Sequence, residues 1–232
     1  MVVLGGSSGI GLAVAQQVVA QGASAVIASS GADRVKQAVA TLDGKAEGHT
    51  LDLSNERDIQ NFFQKIGDFD HLVFTAGDTL QLNELATTDL TKARRAFELR
   101  YWAVLGAVKY ATTHIREGGS VVLTTGIAGE RPHKGWTVAA SVCGAIVSLT
   151  RALAVELAPI RVNAVSPGLV RTNLWQNMPE HERESMFESV GKTQLVPHVG
   201  EASEIARAYL FLMQEGYSTG QTVVVDGGRV LV

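Results

Sequence analysis

The strongest constraint on this chain lies in its first eleven residues. A short apolar run, Val2-Val3-Leu4, leads straight into Gly5-Gly6-Ser7-Ser8-Gly9-Ile10-Gly11. A strand that ends in glycines and reopens as a helix is a turn that lets backbone meet a pyrophosphate. Gly5 permits the tight turn, Gly9 lets the backbone approach a phosphate, and Gly11 allows close packing of helix on strand. The helix starting near Gly9 then points free N–H groups at the anion.

The rest of the sequence supplies a fold for that turn. Apolar runs at 2–4, 24–28, 48–51, 71–75, 120–124, 161–165 and 222–225 read as strands covered on both faces, as in a parallel sheet. Helical patterns lie between them, at 9–21, 32–42, 55–66, 89–116, 134–158 and 201–214. This alternation predicts an α/β, Rossmann-type doubly wound parallel sheet of about seven strands with helices on both faces. Right-handed crossovers then bring the strand ends to one ligand edge. The segment 89–116 reads as one helix about 40 Å long at 1.5 Å per residue. Segment 173–200, with Trp175, Met178, Met186 and Phe187 among charges, reads as a substrate lid rather than a sheet element.

Composition narrows the class. With 46% hydrophobic residues among 232, no linker and no internal repeat, residues 1–232 read as one domain. A net charge of −3 gives no reason to expect nucleic acid. No apolar run is expected to reach the roughly 20 residues that span a bilayer. Met1 leads directly into a strand, without the basic start and cleavage site of a secretory signal. The single cysteine, Cys143, fits a reducing cytoplasm, and no His/Cys/Asp/Glu spacing resembles a metal site.

Several ordered motifs carry a family resemblance. Leu4-Gly5-Gly6-Ser7-Ser8-Gly9-Ile10-Gly11 is similar to the TGxxxGIG of the short-chain dehydrogenase/reductase family, with Leu4 in place of Thr. Asp52-Leu53 resembles its adenine-contacting site after the third strand, and Thr75-Ala76-Gly77 its NNAG, without the Asn residues. Residues 161–172 resemble the segment that holds the nicotinamide end, including Pro167, Gly168, Val170 and Thr172; Val225-Asp226-Gly227-Gly228 resembles the C-terminal signature. The resemblance covers essentially the whole chain. It implies a dinucleotide site formed by Gly5, Ser7, Ser8, Gly9, Ile10, Asp52, Leu53, Ala76, Gly77, Pro167, Gly168, Val170 and Thr172. Charge then selects the cofactor. The second strand ends Ala28-Ser29-Ser30-Gly31, with no acid to bond a ribose 2′-OH. Ser29 and Ser30, with Arg34 nearby, suit a 2′-phosphate, so NADP(H) is expected rather than NAD(H). Asp33 would oppose the phosphate if it pointed inward.

The same resemblance exposes a gap. The family's chemistry uses a Tyr as proton donor, a Lys four residues later, a Ser about thirteen residues upstream of the Tyr, and an Asn on the preceding helix. Counting back from Leu149-Thr150-Arg151-Ala152-Leu153-Ala154, which is similar to the family's LTRALA, those positions hold Ala139, Cys143, Gly126 and Arg100. Ala139 cannot carry a proton, Gly126 has no side chain, and Cys143 supplies no fixed positive charge. Arg100 is the candidate catalytic residue, placed to orient a carboxylate or stabilise a developing oxyanion. His133 is a candidate acid, Trp136 a stacking platform, Thr125 a substitute hydroxyl, and His181 and His198 candidate lid contacts.

Three functional readings stay open: a divergent NADP(H)-dependent oxidoreductase passing hydride to a small molecule by a non-standard site, a carbonyl reductase with replacement residues, and a non-catalytic NADPH-binding sensor or assembly module. A homodimer or homotetramer is expected. Apolar stripes recur on the two long helices, Ala103, Ala107, Val108 and Ala111 on the first and Val147, Ala154 and Val155 on the second, and the family resemblance implies pairing across a two-fold axis.

Overall fold

A computed structural model describes residues 1–78, 80 and 82–232. Its main sheet is seven-stranded and parallel, built from β1 (Val2–Leu4), β2 (Ala25–Ser29), β3 (Ala46–Thr50), β4 (Phe69–Phe74), β5 (Ile115–Thr124), β6 (Arg161–Pro167) and β9 (Thr222–Val225). The strand order is β3-β2-β1-β4-β5-β6-β9. The order reverses between β1 and β4, where a doubly wound sheet opens its ligand crevice. Val3 lies level with Ile27 of β2 and Val73 of β4, so the glycine turn after β1 emerges at the centre of that edge.

Two helical layers follow from strand alternation. Val2 and Leu4 face a cluster built with α3 (Glu56–Ile66), α5 (Ala103–Ala111) and α6 (Thr137–Glu156), where Phe63, Ala107 and Ile146 are fully or almost fully buried. Val3 faces the other cluster, built with α1 (Gly9–Ala20), α2 (Ala32–Ala40) and α8 (Ala202–Gln214), where Val14 and Tyr209 are fully buried. Each large apolar side chain so covered contributes about 1.5–3 kcal/mol relative to exposure. The caps differ in a telling way. The Asn55 side chain accepts from the Arg57 and Asp58 amides at the start of α3, and Glu201 and Glu204 form a reciprocal capping box on α8. Ser8, at the start of α1, makes no such bond and leaves the first-turn amides open to the cleft.

Four expectations need correction. The helix expected over 89–116 is α4 (Leu90–Phe97), a π-helical turn (Glu98–Trp102), α5 and a 3₁₀ turn, and β5 already begins at Ile115. β3 is not an apolar strand buried on both faces. It is the sheet edge, paired only with β2, and Glu47, Gly48 and Thr50 are exposed although α2 packs on one face. Helix α6 is, by length and composition, apolar enough to cross a bilayer, contrary to the reading of its sequence. Here it packs on the sheet through Ile146, Leu149 and Leu153. The stripe Ala103, Ala107, Val108 and Ala111 is buried against the subunit's own sheet and so is not free to pair with another copy. The excursion after β6 holds α7 (Glu180–Thr193), and its ends carry a two-stranded pairing of β7 (Val170–Arg171) with β8 (Gly200–Glu201).

The turn after β1 admits no extra carbon. Gly5 has φ +90°, and a Cβ there would stand closer than 3.0 Å to Ala76 backbone. At Gly11 a Cβ would stand closer than 3.0 Å to the Gly5 carbonyl oxygen and to Thr75 Oγ1, whose hydroxyl donates to the Leu4 carbonyl at 3.2 Å. Gly11→Ala is therefore expected to destabilise the fold by about 1–3 kcal/mol through overpacking. Thermal unfolding checks this: Tm should fall by roughly 2–4 °C per kcal/mol for a chain of this size, and an unchanged Tm would show that the turn has slack.

Candidate active site

The carboxyl ends of β1, β2, β4, β5 and β6 open into one cleft of about 1120 Å³. Gly5, Ser7, Ser8, Gly9 and Ile10 form its floor with Ala76 and Gly77; Ser29, Ser30, Asp52 and Leu53 line it too, as do Pro167, Gly168, Val170 and Thr172. Every residue expected at the dinucleotide site from sequence thus lines the same cleft. Asp52 is held by Ser54. The Ser54 hydroxyl donates at 2.7 Å and its amide at 2.9 Å, and these bonds keep the Asp52 carboxyl below its ordinary range. At the end of β2 the Arg34 guanidinium folds over Gly31, where a Cβ would come within 2.9 Å of it. Arg34 lines the cleft beside Ser29 and Ser30, and Asp33 does not.

The four positions singled out by counting meet at the other end. Arg100, Gly126, Ala139 and Cys143 all line the cleft. Arg100 sits on the π-helical turn, which shifts the helical register between α4 and α5 and leaves the side chain only 24% exposed. Such turns are frequent at functional sites, and no local pattern in the sequence announces this one. The guanidinium lies over Gly77, where a Cβ would come within 2.8 Å of Nη2. Its charge is already engaged. Nε donates to Asp78 Oδ1 at 3.3 Å, and Nη2 donates to the Asp78 carbonyl. Asp78 also lines the cleft. Sequence reading missed it, although an acid directly after Ala76-Gly77 was the available signal.

The thiol and hydroxyls of Cys143, Thr125 and Thr124 are weak acids or already engaged. Burial pushes the Cys143 thiol up, against smaller opposing pulls from the Thr125 hydroxyl and the Arg100 charge. Thr125 donates to the Cys143 carbonyl at 2.9 Å. Thr124 bonds the Tyr209 hydroxyl at 2.6 Å and donates to the Phe74 carbonyl, so its hydroxyl is committed too. His133 and Trp136 line the cleft and touch edge-on, with ring centroids 4.7 Å apart. From the excursion, Trp175, Met186 and Val190 reach the cleft, and Trp175 is fixed by its indole N–H donating to the Val170 carbonyl at 3.1 Å. Phe187 is buried beneath Arg171 instead. His181 and His198 do not line the cleft; His198 bonds Glu204 at 3.1 Å. Among the described residues no cluster of His, Cys, Asp or Glu could hold a metal ion.

A family model described as enoyl-(acyl carrier protein) reductase matches residues 5–229. A short-chain dehydrogenase/reductase of Stachybotrys chlorohalonatus, ATR9, is 34% identical over 100% of this chain and 96% of its own length. The chain belongs to the short-chain dehydrogenase/reductase family. A human 3-oxoacyl-[acyl-carrier-protein] reductase is 32% identical over 99% of this chain and 97% of its own. Among solved structures, a small-chain dehydrogenase in complex with NADPH is 35% identical, with a TM-score of 0.86 over 100% of this chain and 98% of that one. The MalC reductase/Diels-Alderase of Malbranchea aurantiaca is 29% identical, with a TM-score of 0.93 over 100% of this chain and 96% of that one. The seven-stranded Rossmann-type sheet agrees with that membership.

Proposed function

We propose that this short-chain dehydrogenase/reductase is a divergent NADP(H)-dependent reductase whose acceptors need no proton from the protein during hydride transfer: an iminium, or a conjugated C=C whose enolate product takes its proton from water on release. One observation carries this reading. Around the reacting end of the cleft, the positions used for proton handling in the family offer a methyl, a hydrogen, a half-buried thiol whose pKa is pushed up by its burial, and a guanidinium already paired with Asp78. A positioned general acid is worth roughly 10²–10⁴-fold, and a plain ketone needs one. A fixed iminium needs none, because hydride addition to its carbon gives the neutral amine directly.

The residues present fit the cofactor. The open amides of α1, the uncapped Ser8 and the glycine turn suit a pyrophosphate, and Ser29, Ser30 and Arg34 suit a 2′-phosphate. The matched structure in complex with NADPH supports the same choice. When bound, NADPH supplies a hydride. The protein's part is to place the acceptor. Trp136 and His133 offer flat contact on one side, and Trp175, Met186 and Val190 of the 173–200 segment close the apolar side as a lid and exclude water. The guanidinium of Arg100 offers N–H donors to an oxygen conjugated with the acceptor, where charge grows if a C=C is reduced. The matching family model, described as an enoyl reductase, favours that second acceptor class.

Cofactor oxidation followed across matched ketones, iminium salts and enones tests the reading. Turnover confined to iminium salts and enones is expected, while tight NADPH binding with no turnover of any acceptor would favour the non-catalytic module. Ser29→Asp should introduce a 2′-OH partner and repel the phosphate. The NADPH:NADH affinity ratio should fall at least about tenfold, or 1.4 kcal/mol, by fluorescence titration. An unchanged ratio would place the 2′-phosphate elsewhere. We read residues 1–232 as one domain that assembles as a dimer or tetramer. That reading now rests on Trp102 and Val155, 54% and 83% exposed on the two long helical segments, and on the family resemblance.

A further inference from the structure

A second cavity, of about 60 Å³, adjoins the main cleft. Its mouth is shared with the cleft through Arg100, Thr125, Ala139 and Cys143. Its blind end is formed by Phe74, Ala96, Val104, Val138, Val142 and Ile146, all apolar. Five of these are almost wholly removed from solvent, Ala96 at 6% exposure and Ile146 at 1%. The cavity lies where two short side chains, Ala139 and Cys143, stop on the inner face of α6, between that helix and the α4–α5 segment.

We propose that this side cavity is a substrate subsite for a two- or three-carbon alkyl branch attached at or beside the reacting carbon. This rests on the reading of the main cleft as a reductase site and adds a substrate class to it. Size fixes the occupant. An apolar cavity of about 150 Å³ takes benzene, roughly 25 Å³ per carbon, so the present one, at about 60 Å³, holds two carbons, an ethyl group or the two methyls of an isopropyl group whose branching carbon stays at the mouth, and excludes a ring. Polarity fixes its chemistry. The blind end holds no donor or acceptor side chain among the described residues, so a hydroxyl or amine there would lose its hydrogen bonds. Position fixes the attachment. The cavity opens between Arg100 and Ala139, at the reacting end, not beside the adenosine wall of Ser29 and Asp52. A methylene in such a pocket discriminates by about 10–200-fold.

The test uses N-methyl-3,4-dihydroisoquinolinium salts carrying hydrogen, methyl or isopropyl at C1. Binding is measured with NADP⁺ present, so that nothing turns over, and turnover is measured separately with NADPH. Crystals are pressurised with xenon as a check that needs no substrate. Xenon is expected between Ala96, Val142 and Ile146, and the isopropyl salt should bind at least about tenfold tighter than the hydrogen salt. Ala96→Val fills the blind end without touching the cleft. It should reduce that preference to under about threefold and leave the hydrogen salt unchanged, and Val104→Ile should do the same if Ala96→Val folds poorly. No xenon, no preference, a preference that survives both fillings, or binding of none of the salts overturns the subsite. Binding with the expected preference but no NADPH oxidation keeps the subsite and overturns the reductase reading instead.

Discussion

A variant carrying Arg100→Asn, Gly126→Ser, Ala139→Tyr and Cys143→Lys is expected to reduce simple ketones roughly 10²–10⁴ times faster than the parent chain, the value of one positioned general acid. The backbone is ready to accept these changes. Gly126 is extended, and a Cβ there meets only Cys143 Sγ at 3.5 Å and the Pro167 carbonyl at 3.8 Å, which is ordinary contact. Ala139 lines both the cleft and the side cavity, so a Tyr ring has room to enter. Arg100 must change with the others. Its charge acts on the Cys143 position and would oppose a lysine placed there. Steady-state NADPH oxidation with an unbranched ketone is the measurement. If the four-fold variant binds NADPH, keeps its fold and still leaves ketones untouched, then missing acid groups do not limit this site.

Arg100→Met has the second-largest expected effect. The change keeps length and removes the donors. NADPH affinity should survive, because the phosphate contacts proposed above are at the glycine turn and at Ser29 and Ser30, away from Arg100. Stability should change by no more than about 1 kcal/mol, since Asp78 is 46% exposed and its carboxylate can return to water. Turnover of acceptors whose reacting centre is conjugated to an oxygen should fall by about 2–4 kcal/mol of transition-state stabilisation. Acceptors without such an oxygen should be far less affected. Equal kinetics for both classes in the variant would take Arg100 out of the reacting site and leave His133 and Trp136 as the residues around which it must be rebuilt.

Most of the architecture was legible because the patterns that make it are local. The glycine turn between β1 and α1, the apolar runs and the intervening helical periods place six of the seven main strands within two residues of where they lie at both their starts and their ends, the exception being the start of β5. The residues expected at the dinucleotide site line one cleft for the same reason, since they follow strands directly in sequence. What escaped depends on contacts distant in the chain. An edge strand such as β3 is defined by the partner strand it lacks. The register shift at Glu98–Trp102 lies between α4, which seats on α6, and α5, which seats on α3 and β5. The burial of Ala103 and Ala107 shows that an apolar helical stripe does not reveal which surface it will meet. The pairing of Arg100 with Asp78 and the side cavity behind Ala139 are both products of tertiary packing, and only the missing side chains themselves could be read beforehand.

An iminium salt and the ketone that shares its carbon substituents separate hydride acceptance from proton supply. A permanently charged N,N-dialkyl iminium and the ketone with the same two substituents on its reacting carbon are each offered with NADPH, and kcat/KM is followed from pH 6 to 9. Turnover of the iminium with a flat profile is expected, because hydride transfer to it draws on no titrating group of the protein, with no measurable turnover of the ketone. Comparable kcat/KM for the ketone, above all with a titration in the profile, would reveal a working acid in the cleft and contradict the proposed function.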